Sequence, residues 1–307
     1  MSEGPFQTSR DKYLNPRMTG VACVGSKSEC GFLLDDGAAH VKWGQTPERL
    51  DQIDALYLMP TPAQVKKPKL PAFLPELSGA RRLVLPAPLL ATLTPKAAPP
   101  KLVTLLVDLD GRFTAEGKQL PRWPDELVLP ELRGLMFTGT YGSSGAWPKL
   151  GVAPRHVPGL EFFHSDVDSK GEVIDAVARF ESLRHLELGG IGNFDNLFDV
   201  APNQLEVLQV GGSKLKFSLV GVTRLQKLRA LRLNTIKTEI DCRLLCQLPD
   251  LVELDVLNSK KISNVEALLE CPALRRVAFL DCGRPFNKAL RQRFEDHGFD
   301  ALAIKFA

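Results

Sequence analysis

Five short stretches share one pattern: LRHLEL at 183–188, LEVLQV at 205–210, LRALRL at 228–233, LVELDV at 251–256 and LRRVAF at 274–279. Each reads apolar, two variable, apolar, one variable, apolar. Their middle apolar residues, Leu186, Leu208, Leu231, Leu254 and Val277, lie 22, 23, 23 and 23 residues apart. A fixed period of this size marks a chain built from stacked structural units. Within each stretch the alternation is that of a strand. A strand so short cannot bury its apolar face alone. Stacked in parallel, such strands share a hydrogen-bonded ladder, and their inward side chains make one continuous core.

The pattern continues outward in both directions. It is found at Ile53-Leu56-Leu58, Ala80-Leu83-Leu85, Leu102-Leu105-Val107, Leu132-Leu135-Phe137 and Val157-Leu160-Phe162, and again at Phe299-Leu302-Ile304. That makes about eleven repeats with spacings from 22 to 30. Eight positions after the first apolar residue stand Thr61, Asp110, Thr140, Ser165, Ser213, Ser259 and Cys282. These are small polar residues or Cys, suited to bond the backbone where the chain turns out of a strand. The unit from Cys271 to Cys282 reads CPALRRVAFLDC. With this series the chain resembles the leucine-rich-repeat proteins, in particular their irregular or cysteine-containing repeats. The resemblance spans residues 47–307. It implies an α/β leucine-rich-repeat solenoid, a curved parallel β-sheet with helical or irregular return segments.

The return segments carry their own signals. Ser263 with Glu266 reads as a capping box before Val265, Leu268 and Leu269. Val173, Ile174, Val177 and Phe180 share a helical face, and Asp241 can cap a turn carrying Leu244, Leu245 and Leu248. Proline-rich runs at 66–75 and 95–100 must be extended or irregular. Asn287 starts a closing helix with Leu290 and Phe294, and Gly298 stops it. Residues 1–46 form an N-terminal cap. There Phe32, Leu33 and Leu34, the Asp36-Gly37 turn, and Val41 and Trp43 suggest a β-hairpin.

In a repeat ladder the residues between the core leucines point outward, onto the concave face. In order these are Tyr57, Met59, Met136 and Phe163, an apolar end, then His185, Glu187, Gln209, Arg232, Glu253 and Asp255, a polar end. Exposed aromatic and apolar groups serve as interface anchors. The expected site is therefore this face. A second candidate is the loop from Gly139 to Val152, where Tyr141 and Trp147 stand among Gly and Ser.

Other motifs weigh less. Asp108-Leu109-Asp110-Gly111 resembles the nucleophile motif of haloacid-dehalogenase-type phosphatases, a Mg²⁺-dependent chemistry. Yet Arg112 follows the Gly, and the run is in phase with the repeats. Gly189-Gly190-Ile191-Gly192 lacks the spacing of a phosphate-binding loop and reads as a repeat turn, as does Gly211-Gly212 one repeat later. Cys242, Cys246, Cys271 and Cys282 lack the paired spacing of a zinc site, and His156, His164 and His185 are scattered. Basic pairs at Lys66-Lys67, Arg81-Arg82, Lys260-Lys261 and Arg275-Arg276 have no interleaved aromatics to stack bases and read as solvated flanks.

Composition agrees with an ordinary globular chain. It has 307 residues, 44% apolar and 24% charged, with a net charge of +3, too small to imply nucleic-acid binding. No stretch is apolar enough to span a bilayer, and the first sixteen residues carry no secretory signature. Six cysteines without a signal sequence read as reduced thiols in a cytoplasm. The expectation is a monomeric, non-catalytic scaffold without cofactor or metal that binds another protein. A bacterial immunity protein that neutralises a toxin, an adaptor, and a phosphatase using Asp108 and Asp110 are the alternatives.

Overall fold

The computed structural model describes residues 3–14, 18–109, 122–139, 151–166, 172–189, 197–212, 218–283 and 285–305. The fold is α/β. Each of the eleven repeats contributes one strand: β3 (Ala55–Met59), β4 (Arg82–Pro86), β5 (Thr104–Asp108), β6 (Gly134–Thr138), β7 (Phe162–Ser165), β8 (His185–Leu188), β9 (Val207–Gly211), β10 (Ala230–Asn234), β12 (Glu253–Leu257), β14 (Arg276–Leu280) and β15 (Ala301–Lys305). With β1 (Val21–Gly25) and β2 (Ala39–Val41) they form one open parallel sheet of thirteen strands, ordered β15-β14-β12-β10-β9-β8-β7-β6-β5-β4-β3-β1-β2. Two short strands, β11 (Ile240–Asp241) and β13 (Ile262–Ser263), pair separately in the return segments.

The chain divides into two compact units. The C-terminal unit comprises Met1–Lys12 and Ser165–Ala307, and the N-terminal unit comprises Tyr13–His164. In the C-terminal unit the register stacks Leu208, Leu231, Leu254 and Val277 in one column, and Val210, Leu233, Val256 and Phe279 in the next. None of these eight is more than 3% exposed. At about 2 kcal/mol of transfer free energy for each buried Leu, these columns are the main stabilising feature. The chain leaves successive strands through left-handed residues at a 23-residue interval: Gly212, Thr235, Asn258 and Asp281, with φ of 70°, 55°, 49° and 56°. Ser259 follows one of these turns, fully buried, and its hydroxyl accepts from Ile236 N–H and donates to the Leu257 carbonyl. The repeat-turn reading of Gly212 thus has a backbone basis.

The return segments match several sequence signals. Val173, Ile174, Val177 and Phe180 are all buried along and just after the helix Glu172–Val177. Asp241 caps Cys242–Leu245 by accepting from Arg243 N–H. Asn287 caps Lys288–Asp296 by accepting from Leu290 N–H, and Gly298 follows with φ 86°. The proposed capping box at Ser263 and Glu266 does not form. Ser263 lies in β13, and Asn264, itself left-handed, starts a 3₁₀ segment over Val265–Glu270.

Three expectations are corrected. First, the repeat read as Val157-Leu160-Phe162 is set three residues early, which puts its third member on the wrong face of the strand. Phe162 N–H bonds the Arg133 carbonyl and Gly189 N–H bonds the Ser165 carbonyl, so Leu160, Phe163 and Ser165 take the core positions. Phe163 is buried against Phe137, their ring centroids 6.1 Å apart. A slip of one residue exchanges the two faces of a strand, and two consecutive phenylalanines give the apolar pattern no means to choose. Ser165 is accordingly a strand residue and not a turn residue.

Second, residues 1–46 contain no hairpin at Phe32–Trp43. Phe32, Leu33 and Leu34 lie on helix α2 (Lys27–Asp35), preceded by helix α1 (Pro5–Leu14), and β1 and β2 pair in parallel. The step from β1 to β2 runs along the sheet opposite to the next step, from β2 back past β1 to β3. Since crossovers between parallel strands keep one hand, reversing the step moves the connection to the other face. This is where α2 sits: its Cys30 is bonded to Cys23, the outward residue of β1 paired with Tyr57.

Third, four of the six cysteines are paired, Cys23 with Cys30 and Cys246 with Cys271, with Cα separations of 6.0 and 4.6 Å. Cys242 and Cys282 are buried free thiols, and burial pushes Cys242 up to about 12. The reading of all six as reduced thiols therefore holds only for Cys242 and Cys282. Among the described residues no helix is long and apolar enough to cross a membrane.

Candidate functional site

The register sorts the outward residues of the C-terminal unit into rows. His185, Val207, Ala230, Glu253, Arg276 and Ala301 form the first. Glu187, Gln209, Arg232, Asp255, Ala278 and Ala303 form the second. Gly211, Asn234, Leu257, Leu280 and Lys305 form the third. The outward assignments of His185, Glu187, Gln209, Arg232, Glu253 and Asp255 follow directly from this lattice.

The face is not bare. Helix α1 lies on its first two rows. Phe6, 2% exposed, packs with Val207 and Ala230. Its backbone N–H donates to Glu253 Oε2 at 2.9 Å. The Arg232 guanidinium stands 3.7 Å from the centroid of the Phe6 ring, and the same guanidinium donates to Asp255 at 2.6 and 2.9 Å. One helical turn later, the Ser9 hydroxyl meets His185 Nδ1 at 2.8 Å, and Arg10 Nε lies 3.3 Å from Glu187 Oε1. Glu187 Oε1 is also 3.0 Å from His185 Nε2, and both side chains are fully buried. A helix laid across parallel strands advances about 5.4 Å per turn against strands about 4.8 Å apart. That near-match lets Phe6 sit over β9 and β10 while Ser9 and Arg10 meet β8. Gly4 abuts Glu253 and Arg276 so closely that a Cβ there would lie 2.5 to 2.7 Å from their side chains.

These contacts are mostly electrostatic. A fully buried carboxylate such as Glu187 is tolerated only when paired and hydrogen-bonded. Burial pushes the Glu253 carboxyl above its ordinary range, partly offset by the Phe6 N–H bond. Ser9, His185 and Glu187 follow one another as hydroxyl, imidazole and carboxylate, but His185 Nε2 and Glu187 Oε1 meet at ion-pair distance without hydrogen-bond geometry, which a proton relay needs. The imidazole and carboxylate are sealed beneath α1, so in this arrangement the chain of contacts holds a helix.

In the N-terminal unit the outward face is apolar. Tyr13, Leu14, Met136 and Phe162 form a buried cluster with Leu106 against it. The Tyr13 hydroxyl donates to Glu161 at 2.6 Å, and Thr104 donates to the Tyr13 carbonyl at 2.6 Å. Tyr57 and Met59 pack against Cys23, Cys30 and Leu33, and Tyr57 accepts a 3.3 Å bond from Arg82. Met136, Tyr57 and Met59 are thus outward, as expected, but covered or half-covered by the protein's own helices. Phe163 belongs to the core. Asp108 ends β5 on the outward face beside Thr138. Tyr141, Trp147, Asp110 and Gly190–Gly192 lie outside the described residues.

Sequence reasoning missed α1, whose signal was nonetheless present. Phe6, Ser9, Arg10 and Tyr13 recur at i, i+3, i+4 and i+7, one face of a helix. A polar composition hid it, because two of the four anchors are Ser and Arg.

No protein-family model matches the chain, and no curated protein matches it. Among solved structures it is similar to an internalin (InlF) from Listeria monocytogenes, with a TM-score of 0.41 and 14% identity over 87% of this chain. The chain spans 65% of that internalin's length.

Proposed function

We propose that this chain is a non-catalytic, monomeric scaffold that recognises another protein through the outward face of its sheet. One observation carries the reading: the first two rows of the C-terminal unit set Glu187, Arg232 and Glu253 at fixed spacing, with Asp255 holding Arg232, and those three groups already grip a polypeptide segment. Buried charge is a poor means of stabilising a fold and a good means of selecting a complement. A rigid lattice also recognises a partner without large rearrangement. The third row, with Asn234, Leu257 and Leu280 half-buried and Lys305 exposed, extends the same surface beyond α1.

The test uses the purified protein as bait in a lysate of its own organism, beside an Arg232→Glu/Asp255→Lys variant. The expected result is one stoichiometric protein that the variant loses. A partner held equally by both would move the site off this face, and the absence of any protein partner would overturn the scaffold reading. The identity of the retained protein distinguishes an adaptor from an antidote to a toxin.

A further inference from the structure

We infer that the outward face of the C-terminal unit is a helix-binding groove, and that α1 is an internal occupant which a partner helix of like chemistry displaces. This rests on the scaffold reading and specifies its partner: an amphipathic helix bearing an aromatic residue, a small hydroxyl residue three positions on and an arginine one further. Each element has its receptor. The aromatic ring fills the seat made by Val207 and Ala230 and lies under the Arg232 guanidinium. The hydroxyl meets His185, and the arginine meets the buried Glu187 carboxylate. Glu253 accepts the backbone N–H of the aromatic residue, a group left without an intrahelical acceptor in the first turn of a helix.

Two observations favour exchange over permanent docking. The sheet of this unit has a closed core in its inward columns without α1, since Leu208, Leu231 and Leu254 are buried on the opposite face. And α1 is a ten-residue helix with no acidic residue in its first turn, a length marginal in water without tertiary contacts. On this unit its grip is the Phe6 ring and three polar contacts, from the Phe6 N–H, Ser9 and Arg10, which a partner helix can replace one for one; Tyr13 and Leu14, at the end of the same helix, belong to the cluster of the N-terminal unit. Recognition of a helix by i, i+3, i+4 anchors in a groove is an established mode of peptide binding.

The probe is a fluorescein-labelled synthetic peptide of residues 3–14 of this chain, followed by anisotropy against the full chain. Wild type should bind it at least tenfold more weakly than a Phe6→Asp variant, in which the internal helix is loosened. A peptide carrying Phe6→Asp and Arg10→Glu should not bind either protein. Adding Glu187→Gln to the loosened variant should weaken binding of the unaltered peptide about tenfold. A folded Phe6→Asp protein that ignores the peptide, or binds both peptides alike, would overturn the inference. Hydrogen exchange on the wild-type protein provides an arm independent of any variant. The amides of Ser9–Tyr13 should exchange by local opening while those of β8–β10 stay protected. Exchange of both sets only on global unfolding would overturn it too. A protein partner captured equally by wild type and Phe6→Asp, and not competed by the peptide, would leave the scaffold reading standing and remove this one.

Discussion

The two units cover the same kind of sheet face by different means. In the C-terminal unit the cover is held by charge: Arg10 on Glu187, Ser9 on His185, Glu253 on a backbone amide. In the N-terminal unit it is held by apolar contact, with Tyr13 and Leu14 on Met136 and Phe162, and by a disulfide that pins α2 to β1. Apolar burial is non-directional and tolerates many partners. A buried carboxylate is satisfied only by a matching donor at the right place. The C-terminal unit therefore has the face suited to selection, and the N-terminal unit the face suited to a fixed cover.

The largest expected effect tests the register on which this contrast rests. Phe163→Asp places a charge in the shared core and should cost more than about 4 kcal/mol, enough to lose the cooperative melt of the N-terminal unit. Phe162→Asp, one residue earlier, should disturb only the cluster around Tyr13 and leave the strands of that unit folded by circular dichroism. Equal loss in both would show that β7 is misassigned.

Reduction of the disulfides comes next. The chain-entropy relation gives about 3.5 kcal/mol for the 25-residue separation of Cys246 and Cys271 and about 2.5 kcal/mol for the 7-residue separation of Cys23 and Cys30. Thermal melts of Cys271→Ser and Cys30→Ser should keep that order. The second should also increase the reactivity of Tyr57 and Met59 toward solvent probes, as the cover over β1 and β3 loosens.

Glu187→Gln should weaken the hold on α1 by about 2 kcal/mol, by depriving Arg10 of its carboxylate. The readout is faster hydrogen exchange in α1, with no change in the exchange of β9 and β10. Tyr13→Phe in the N-terminal unit removes only a hydroxyl bonded to a half-exposed Glu161 and should cost less than 1 kcal/mol. If the two substitutions cost the same, the distinction between the faces fails.

Loss of a cap is smaller. Asp241→Ala removes the acceptor of Arg243 N–H and should cost about 1 kcal/mol in urea denaturation. The Arg243 side chain beside Asp241 holds its carboxyl down at about 2. Its contribution is therefore present above the ordinary Asp range and lost as pH falls through that range toward 2. Glu253 has the opposite sign. Burial favours its protonated form in the fold, so stability declines as pH rises from the ordinary Glu range through the higher folded value. A Glu253→Gln variant should lack this decline; a wild-type curve parallel to it would show the Phe6 bond fully offsets the burial.

Much of the ladder was legible because its cause is local. Leu231, Leu254 and Val277 must face one way at a constant interval, and that requirement is written directly as spacing. Asp241 and Asn287 announced their helices for the same reason: a cap acts on the amides two or three residues ahead. Reading failed where a choice depended on distant partners. Phe162 and Phe163 are equivalent in pattern, and only their partners, Tyr13 and Met136 for the one and Phe137 for the other, decide which enters the core. Ser263 carried a cap signal that lost to the strand pair β11–β13.

The sequence by itself determined the repeat, the parallel sheet and which residues of most strands face outward, because each follows from side-chain alternation within a few residues. Tertiary structure decided what covers that face. Whether Phe6 and Arg10 meet Arg232 and Glu187 depends on contacts more than 170 residues apart in the chain. No local pattern encodes such a meeting; it is fixed by which buried charges are left to be satisfied once the strands have stacked.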